Sequence, residues 1–247
     1  MIQKAETNSR RPLCVLHYPS SKYRTSMCVL VLLLIPVMIK TTRRMDQIRL
    51  IKKGDMIMSK NLGVKPYLFP MPTYMIGTYN EDDSVDVMMM AWGGICAEDM
   101  VALNLEAEHK TVVNLEARKA FTLAVPGKET MRESDFLGIA SANKMADKFE
   151  RTGLHAVKSE RVDAPVITEY PLTLECEVAE MQSQPYGLRV LGKIVNVIAD
   201  EKILDDNGKI DAGKLNAFVF DQMQNGYYAI GEKIGQAWHS GADLMRK

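Results

Sequence analysis

Cysteine is scarce in this sequence. Of the four present, Cys14 and Cys28 lie near the N-terminus, and Cys96 and Cys176 are far apart with no CxxC spacing. Neither a zinc knuckle nor a disulfide framework is indicated, and a reducing cytoplasm fits. The four histidines, His17, His109, His155 and His239, show no metal-ligand pattern. There is no GxSxG, no P-loop and no GxGxxG opening a helix after a strand; the nearest glycines, Gly226 and Gly231, have the wrong spacing. The apolar run 27–39 ("MCVLVLLLIPVMI") is 13 residues long and broken by Pro36, short of the ~20 that a spanning helix needs. Lys40, Arg43 and Arg44 follow it, where a signal peptide would place small residues. Without a nucleophile, triad or metal, hard chemistry has to come from a bound organic cofactor.

What is present is a globular composition, 47% hydrophobic and 25% charged. The formal charge of zero conceals two halves of opposite sign. Residues 1–57 carry eleven Lys/Arg against three Asp/Glu, and residues 58–247 carry 20 against 28. The segment "IKKGDMIMSKN" ends the basic piece, and Lys-Lys-Gly-Asp is encodable by a purine-rich run resembling a bacterial ribosome-binding site. Residues 1–57 are therefore expected to be a non-native or disordered N-terminal extension, with 58–247 forming the functional domain. The acidic body shows no basic face for neutralising phosphates, so no nucleic-acid partner is expected, nor a membrane one.

Along the body, 71–80 reads as a strand, "EDDS" (81–84) as a turn, and 85–92 and 100–107 as two further strands. Residues 109–119 look helical and 120–126 return as strand. Two helical pieces are expected at 130–140 and 143–153, the second ended by Gly153. Residues 166–182 and 188–200 alternate well enough to be long antiparallel strands, 205–211 is a loop, and 226–238 should be a strand end followed by a short helix. Many strands with short turns and few helices favour a mainly β antiparallel barrel in one domain.

Three stretches could carry chemistry. In "NLEAEHKTVVNLEARKAF", Thr111 is placed to cap a helix whose free N–H groups favour an anion, and His109 and Lys110 add charge at that end. The same residues also suit a plainly capped helix with a solvated end. In "SANKMADKFE", Ser141 or Asn143 could cap a helix that sets Lys144 and Lys148 on one face, toward a phosphate or a carboxylate. In "DVMMMAWGGI" (86–95), Met88, Met90 and Trp92 point one way, and Val87, Met89 and Ala91 the other. Soft, flat side chains before two glycines suit a planar ligand that approaches the backbone, and they also suit an ordinary core.

The ordered series "PTYMIGTYN", "DVMMMAWGGI", "VALNLEAEHKT", "KAFTLAVP", "FLGIASANKMADKFERTG", "APVITEYPLTLECEV", "LRVLGKIVNV" and "GYYAIGEKIGQAW" resembles the flavin reductase-like, FMN-binding split-barrel family. It is most similar to the flavoredoxin-type branch, from about Pro70 to the C-terminus. The resemblance implies a six-stranded antiparallel split barrel, a homodimer, and noncovalent FMN near the subunit interface. It implies that Met89, Met90, Ala91 and Trp92 lie along the ring and ribityl chain. Asn104, Leu105, His109, Lys110 and Thr111 would run toward the phosphate, and Ser141, Asn143, Lys144 and Lys148 would border the flavin. The chain departs from the family at Ala91, where many relatives have Ser, at Glu98-Asp99 in place of Pro-Pro, and at Tyr186-Gly187, where reductase branches often carry a His. The implied activity is an oxidoreductase passing electrons from NAD(P)H or a redox protein partner through FMN, with no essential side-chain acid or base. An electron carrier without NAD(P)H activity, a flavin-less dimeric binding protein, and a haem-type occupant of the same cleft are the alternatives.

Overall fold

A computed structural model of the chain describes residues 47–52 and 55–246. It divides into two compact units, residues 1–65 and 66–247. In the first, Gln47–Lys52 (β1) and Asp55–Lys60 (β2) form an antiparallel hairpin. This hairpin spans the boundary expected at residue 57. The apolar run 27–39, with Cys14, His17 and Cys28, lies outside the described residues. Among the described residues, no helix is long and apolar enough to cross a membrane.

The second unit is built on one antiparallel sheet of seven strands. They are Tyr74–Tyr79 (β4), Val85–Met90 (β5), Gly93–Ala97 (β6), Met100–Leu105 (β7), Ala120–Val125 (β8), Leu172–Gln184 (β11) and Gly187–Ala199 (β12), in the spatial order β5-β4-β8-β11-β12-β7-β6. The sheet curls without closing, as a split barrel does. Its interior is filled by Ile76, Leu103, Phe121, Cys176 and Val190, all inaccessible to solvent, with Met90 and Leu105 at one end. Each such apolar side chain contributes ~1.5–3 kcal/mol relative to exposure.

Strand β5 is covered on both faces, which accounts for its run of methionines. Met88 and Met90 face the barrel interior. Val87 and Met89 pack outward with Met75, Leu137 and Phe149. The first helix (α1, Lys110–Arg118) buries Val112 and Leu115, and Asn114 on the same face donates to Thr78 Oγ1 (3.0 Å) and Asn80 Oδ1 (2.9 Å). A second helix (α2, Met131–Ile139) lies against β5. Two smaller strands, Ala156–Lys158 (β9) and Pro165–Ile167 (β10), form a hairpin of their own. A three-stranded sheet joins Met71–Pro72 (β3), Phe218–Asp221 (β13) and Gly226–Ala229 (β14).

Several sequence expectations need correction. Gly93–Ala97 is a strand that the sequence reading misses, because it ends the strand before at residue 92 and takes the two glycines as a place for a ligand. Residues 143–153 are not an α-helix: turns run to a 3₁₀ turn at Glu150–Thr152, closed by Gly153 at φ 73°. Tertiary contacts override helix propensity there, because the adjacent residues Lys148 and Phe149 are both buried. The expected strand 166–182 is two strands, separated at Pro171. No helix follows the last strand before residue 238; the tail has a 3₁₀ turn only at Ala242–Arg246.

Candidate functional site

A cleft of about 330 Å³ opens where strands β5 and β7, helix α2 and strands β13 and β14 meet. That volume lies within the roughly 300–1,000 Å³ typical of organic-ligand sites. Met89, Met90, Ala91, Trp92, Asn104, Leu105 and His109 line it, so the fold brings these sequence candidates together. A larger cavity of about 530 Å³, under residues 157–171, contains none of them.

The apolar floor is the end of β5, where Met88, Met89 and Met90 all line the cleft although they alternate in facing. A Cβ on Gly138 of α2 would sit 3.1 Å from Met89 Cβ and Cε, so glycine lets the helix lie directly on β5. Gly93 corrects the reading of the "WGG" glycines. A Cβ there would stand 2.4 Å from the Ala102 carbonyl oxygen and 2.8 Å from Met90 Cε, so its close neighbour is strand β7. Asn104 turns back on the same segment: its backbone N–H (2.9 Å) and Nδ2 (3.1 Å) both donate to the Trp92 carbonyl. This fixes Trp92, half-exposed at the rim.

At one end of the cleft stands the start of α1. Thr111 does not cap it. His109 holds the N-cap position and makes no side-chain cap bond, while Thr111 lies inside the helix and donates its hydroxyl to Asp86 Oδ2 at 3.0 Å. The helix terminus therefore has no side-chain cap; the Val112 N–H turns back to the His109 carbonyl at 3.0 Å, and the Lys110 and Thr111 N–H groups precede the first intrahelical bond. His109 Nδ1 is buried without a partner, and Nε2 lies 3.6 Å from Glu106 Oε2. An orphaned imidazole nitrogen beside an uncapped helix end fits an anionic group.

The remaining candidates lie behind or beside that end. Lys148 is 3% exposed and forms an ion pair with Asp86 Oδ1 at 2.9 Å, also donating to the Ala140 carbonyl (3.3 Å). Lys110 borders an adjoining depression with Asn80, Asp82, Ser84 and Ala142. Ser141, Asn143 and Lys144 occupy the exposed turn after α2. Asn143 Nδ2 donates to the Glu108 carbonyl at 2.9 Å, tying this turn to the approach to α1.

Sequence reasoning missed the opposite end. There Asp135, Phe220, Tyr227 and Thr73 line the cleft. Tyr227 donates its hydroxyl to Asp135 Oδ1 at 2.7 Å, and its ring packs edge-on against Phe218. Burial, then the hydrogen bond and charge of Asp135, hold the Tyr227 phenol well above its ordinary value. The only local sign was the pair of tyrosines in "GYYAIG", which nothing near it in sequence connects to α2.

An open antiparallel barrel with a flat apolar floor and an anion-favouring end defines a class, the split-barrel flavin-binding proteins. The family described as Flavin reductase like domain matches residues 67–214. The flavoredoxin of Desulfovibrio vulgaris (Miyazaki F) is 33% identical, with a TM-score of 0.71 over 74% of this chain and 100% of its own. The chain belongs to the flavin reductase-like family and is similar to the flavoredoxin-type branch. An FMN-binding protein from Thermus thermophilus shares the fold at 17% identity and a TM-score of 0.60, covering 72% of this chain and 98% of its own. A Bacillus subtilis (strain 168) protein described as uncharacterized, YdfE, is 22% identical over 206 residues, 77% of this chain and 98% of that protein.

Proposed function

We propose that this protein is an FMN-dependent oxidoreductase that takes electrons from NAD(P)H or from a redox protein and passes them on through the flavin. One observation supports this above the others. A single cleft joins an uncapped helix end with an orphaned His109 Nδ1, suited to a phosphate, to a methionine and tryptophan floor, suited to a flat ring. The flavin would supply the redox chemistry. The chain's own residues would bind and orient it: the N-terminal N–H groups of α1, with His109 and Lys110, at the phosphate, and Met89, Met90 and Trp92 along the ring. Asn104 would hold the Trp92 backbone in place, and Lys148 would act through Asp86 and Thr111. The Thermus relative, by its name an FMN-binding protein, supports the choice of FMN. A second copy, as the resemblance implies, would cover the exposed Trp92 and Ile95 at the rim.

A second reading, an electron carrier without NAD(P)H activity, is favoured by Tyr186. It sits exposed at the β11–β12 turn, where reductase relatives often have a histidine. The test of both is an absorption spectrum of the purified protein after gel filtration, followed by stopped-flow mixing with NADH and NADPH. The expected result is an oxidised-flavin spectrum near one per subunit on a dimer-sized peak. A colourless protein that stays colourless with excess FMN would overturn the proposal. Flavin left oxidised by both nucleotides would select the electron carrier.

A further inference from the structure

The polar groups of the cleft differ from end to end. At the α1 end His109 and Glu106 line it, with Lys110 in the adjoining depression. At the other end the side-chain hydrogens are already engaged by the protein. Thr73 donates its hydroxyl to the Phe218 carbonyl (2.7 Å), and Tyr227 donates its own to Asp135 Oδ1 (2.7 Å). A hydroxyl has one hydrogen to give. With that hydrogen engaged, each oxygen can offer the cleft only lone pairs. Asp135, as a carboxylate, adds a second oxygen that also accepts. An apolar cleft wall between these groups strengthens the requirement, because a buried acceptor facing no donor costs ~1–3 kcal/mol.

We infer that Tyr227, held by Asp135, is a positioning residue whose phenolic oxygen accepts a hydrogen bond from an N–H of the flavin ring. The inference rests on the FMN reading above and extends it: the α1 end receives the phosphate, and the Tyr227 end receives the ring edge. N3 carries a hydrogen in both redox states, and N1 and N5 can carry one in the reduced state alone. Their shared chemistry is an N–H donor meeting a fixed acceptor. Asp135 contributes by engaging the phenol hydrogen, which would otherwise be free to turn into the cleft and present a donor.

The test compares the full-length protein with its Tyr227→Phe variant. It measures dissociation constants for FMN and N3-methyl-FMN by flavin-fluorescence quenching, and midpoint potentials by spectroelectrochemistry. One lost hydrogen bond corresponds to about a tenfold change. If N3–H is the donor, Tyr227→Phe weakens FMN binding about tenfold, N3-methylation weakens the wild type by a similar factor, and the two losses are not additive. If N1–H or N5–H is the donor, affinity for oxidised FMN is unchanged and the midpoint potential of the variant falls by about 30 mV, the equivalent of tenfold for two electrons. Asp135→Ala, which removes the acceptor and turns the phenol hydrogen loose, is expected to weaken FMN in the same direction and gives an independent reading if Tyr227→Phe folds poorly. Unchanged affinities and potentials in both variants, with the wild type binding FMN, would overturn this inference alone. A wild type that binds no FMN would overturn the function proposal beneath it.

Discussion

Gly93 illustrates how a residue can be read correctly as special and wrongly as to cause. Its position after methionines and a tryptophan pointed to a ligand pressing on the backbone. The structure puts the Ala102 carbonyl of the neighbouring strand there, 2.4 Å from where a Cβ would stand. A backbone atom cannot swing away as a side-chain tip can. Gly93→Ala is therefore expected to push β6 off β7 and cost ~1–3 kcal/mol, the range for overpacking a filled site. Urea unfolding followed by circular dichroism measures it, and an unchanged midpoint would show that the hairpin absorbs the methyl group. Lys148 teaches a similar lesson from the other side. Its sequence reading left a phosphate, a carboxylate and solvent open; the structure selects a carboxylate, Asp86, which the sequence could not single out because it lies far away along the chain.

At the scale of elements, the sequence was most legible where apolar runs are bounded by turns or form one stripe. Strands at 74–79 and 120–125, buried on both faces, and the helix at 110–118, with one buried face, fall close to their expected places. The turn-rich segment 141–153 was not legible. Its shape is set by what it reaches rather than by its own propensities. The Asp86–Lys148 ion pair is the tie: it joins β5 to this segment, and the second carboxylate oxygen of Asp86 takes the Thr111 hydroxyl from α1. Three elements thus converge on one buried carboxylate. Lys148→Met should strand that charge and cost ~3–5 kcal/mol, as for other buried pairs broken on one side. Adding Asp86→Asn should recover part of the loss, because the stranded charge is then gone. Denaturant midpoints of the single and double variants check this, and a single variant as stable as the wild type would show that the pair contributes little.

For the molecule as a whole, the fold class was readable from strand count and turn spacing, but one wall of the cleft was not. Its residues, Thr73, Asp135, Phe220 and Tyr227, are brought together by strand pairing and helix packing that no local pattern announces. The molecule-wide behaviour toward alkali follows from buried acids. Burial, with the Glu175 charge beside it, pushes the Cys176 thiol from 9.0 up to about 12, and burial pushes the Tyr170 phenol from 10.0 up to about 12. Both folded values lie above the unfolded ones, so the folded state keeps protons that the unfolded state gives up. This stability is fully present below pH 9 and is lost as pH rises from there toward about 12. Urea midpoints measured between neutrality and pH 11 should hold level and then fall. A midpoint that stays level throughout would mean that these groups titrate alike in both states.

The pairing of Met71 with Phe220 and of Pro72 with Val219 joins the beginning of the barrel domain to a strand near its far end. During synthesis, chain emerges from the ribosome in order, and the barrel strands up to Ala199 are complete before Phe220 and Tyr227 have been made. A nascent chain halted between those points would hold the methionine floor and the start of α1 but lack the wall opposite. Completion of the cleft thus waits for Tyr227, after all seven strands of the sheet have been made.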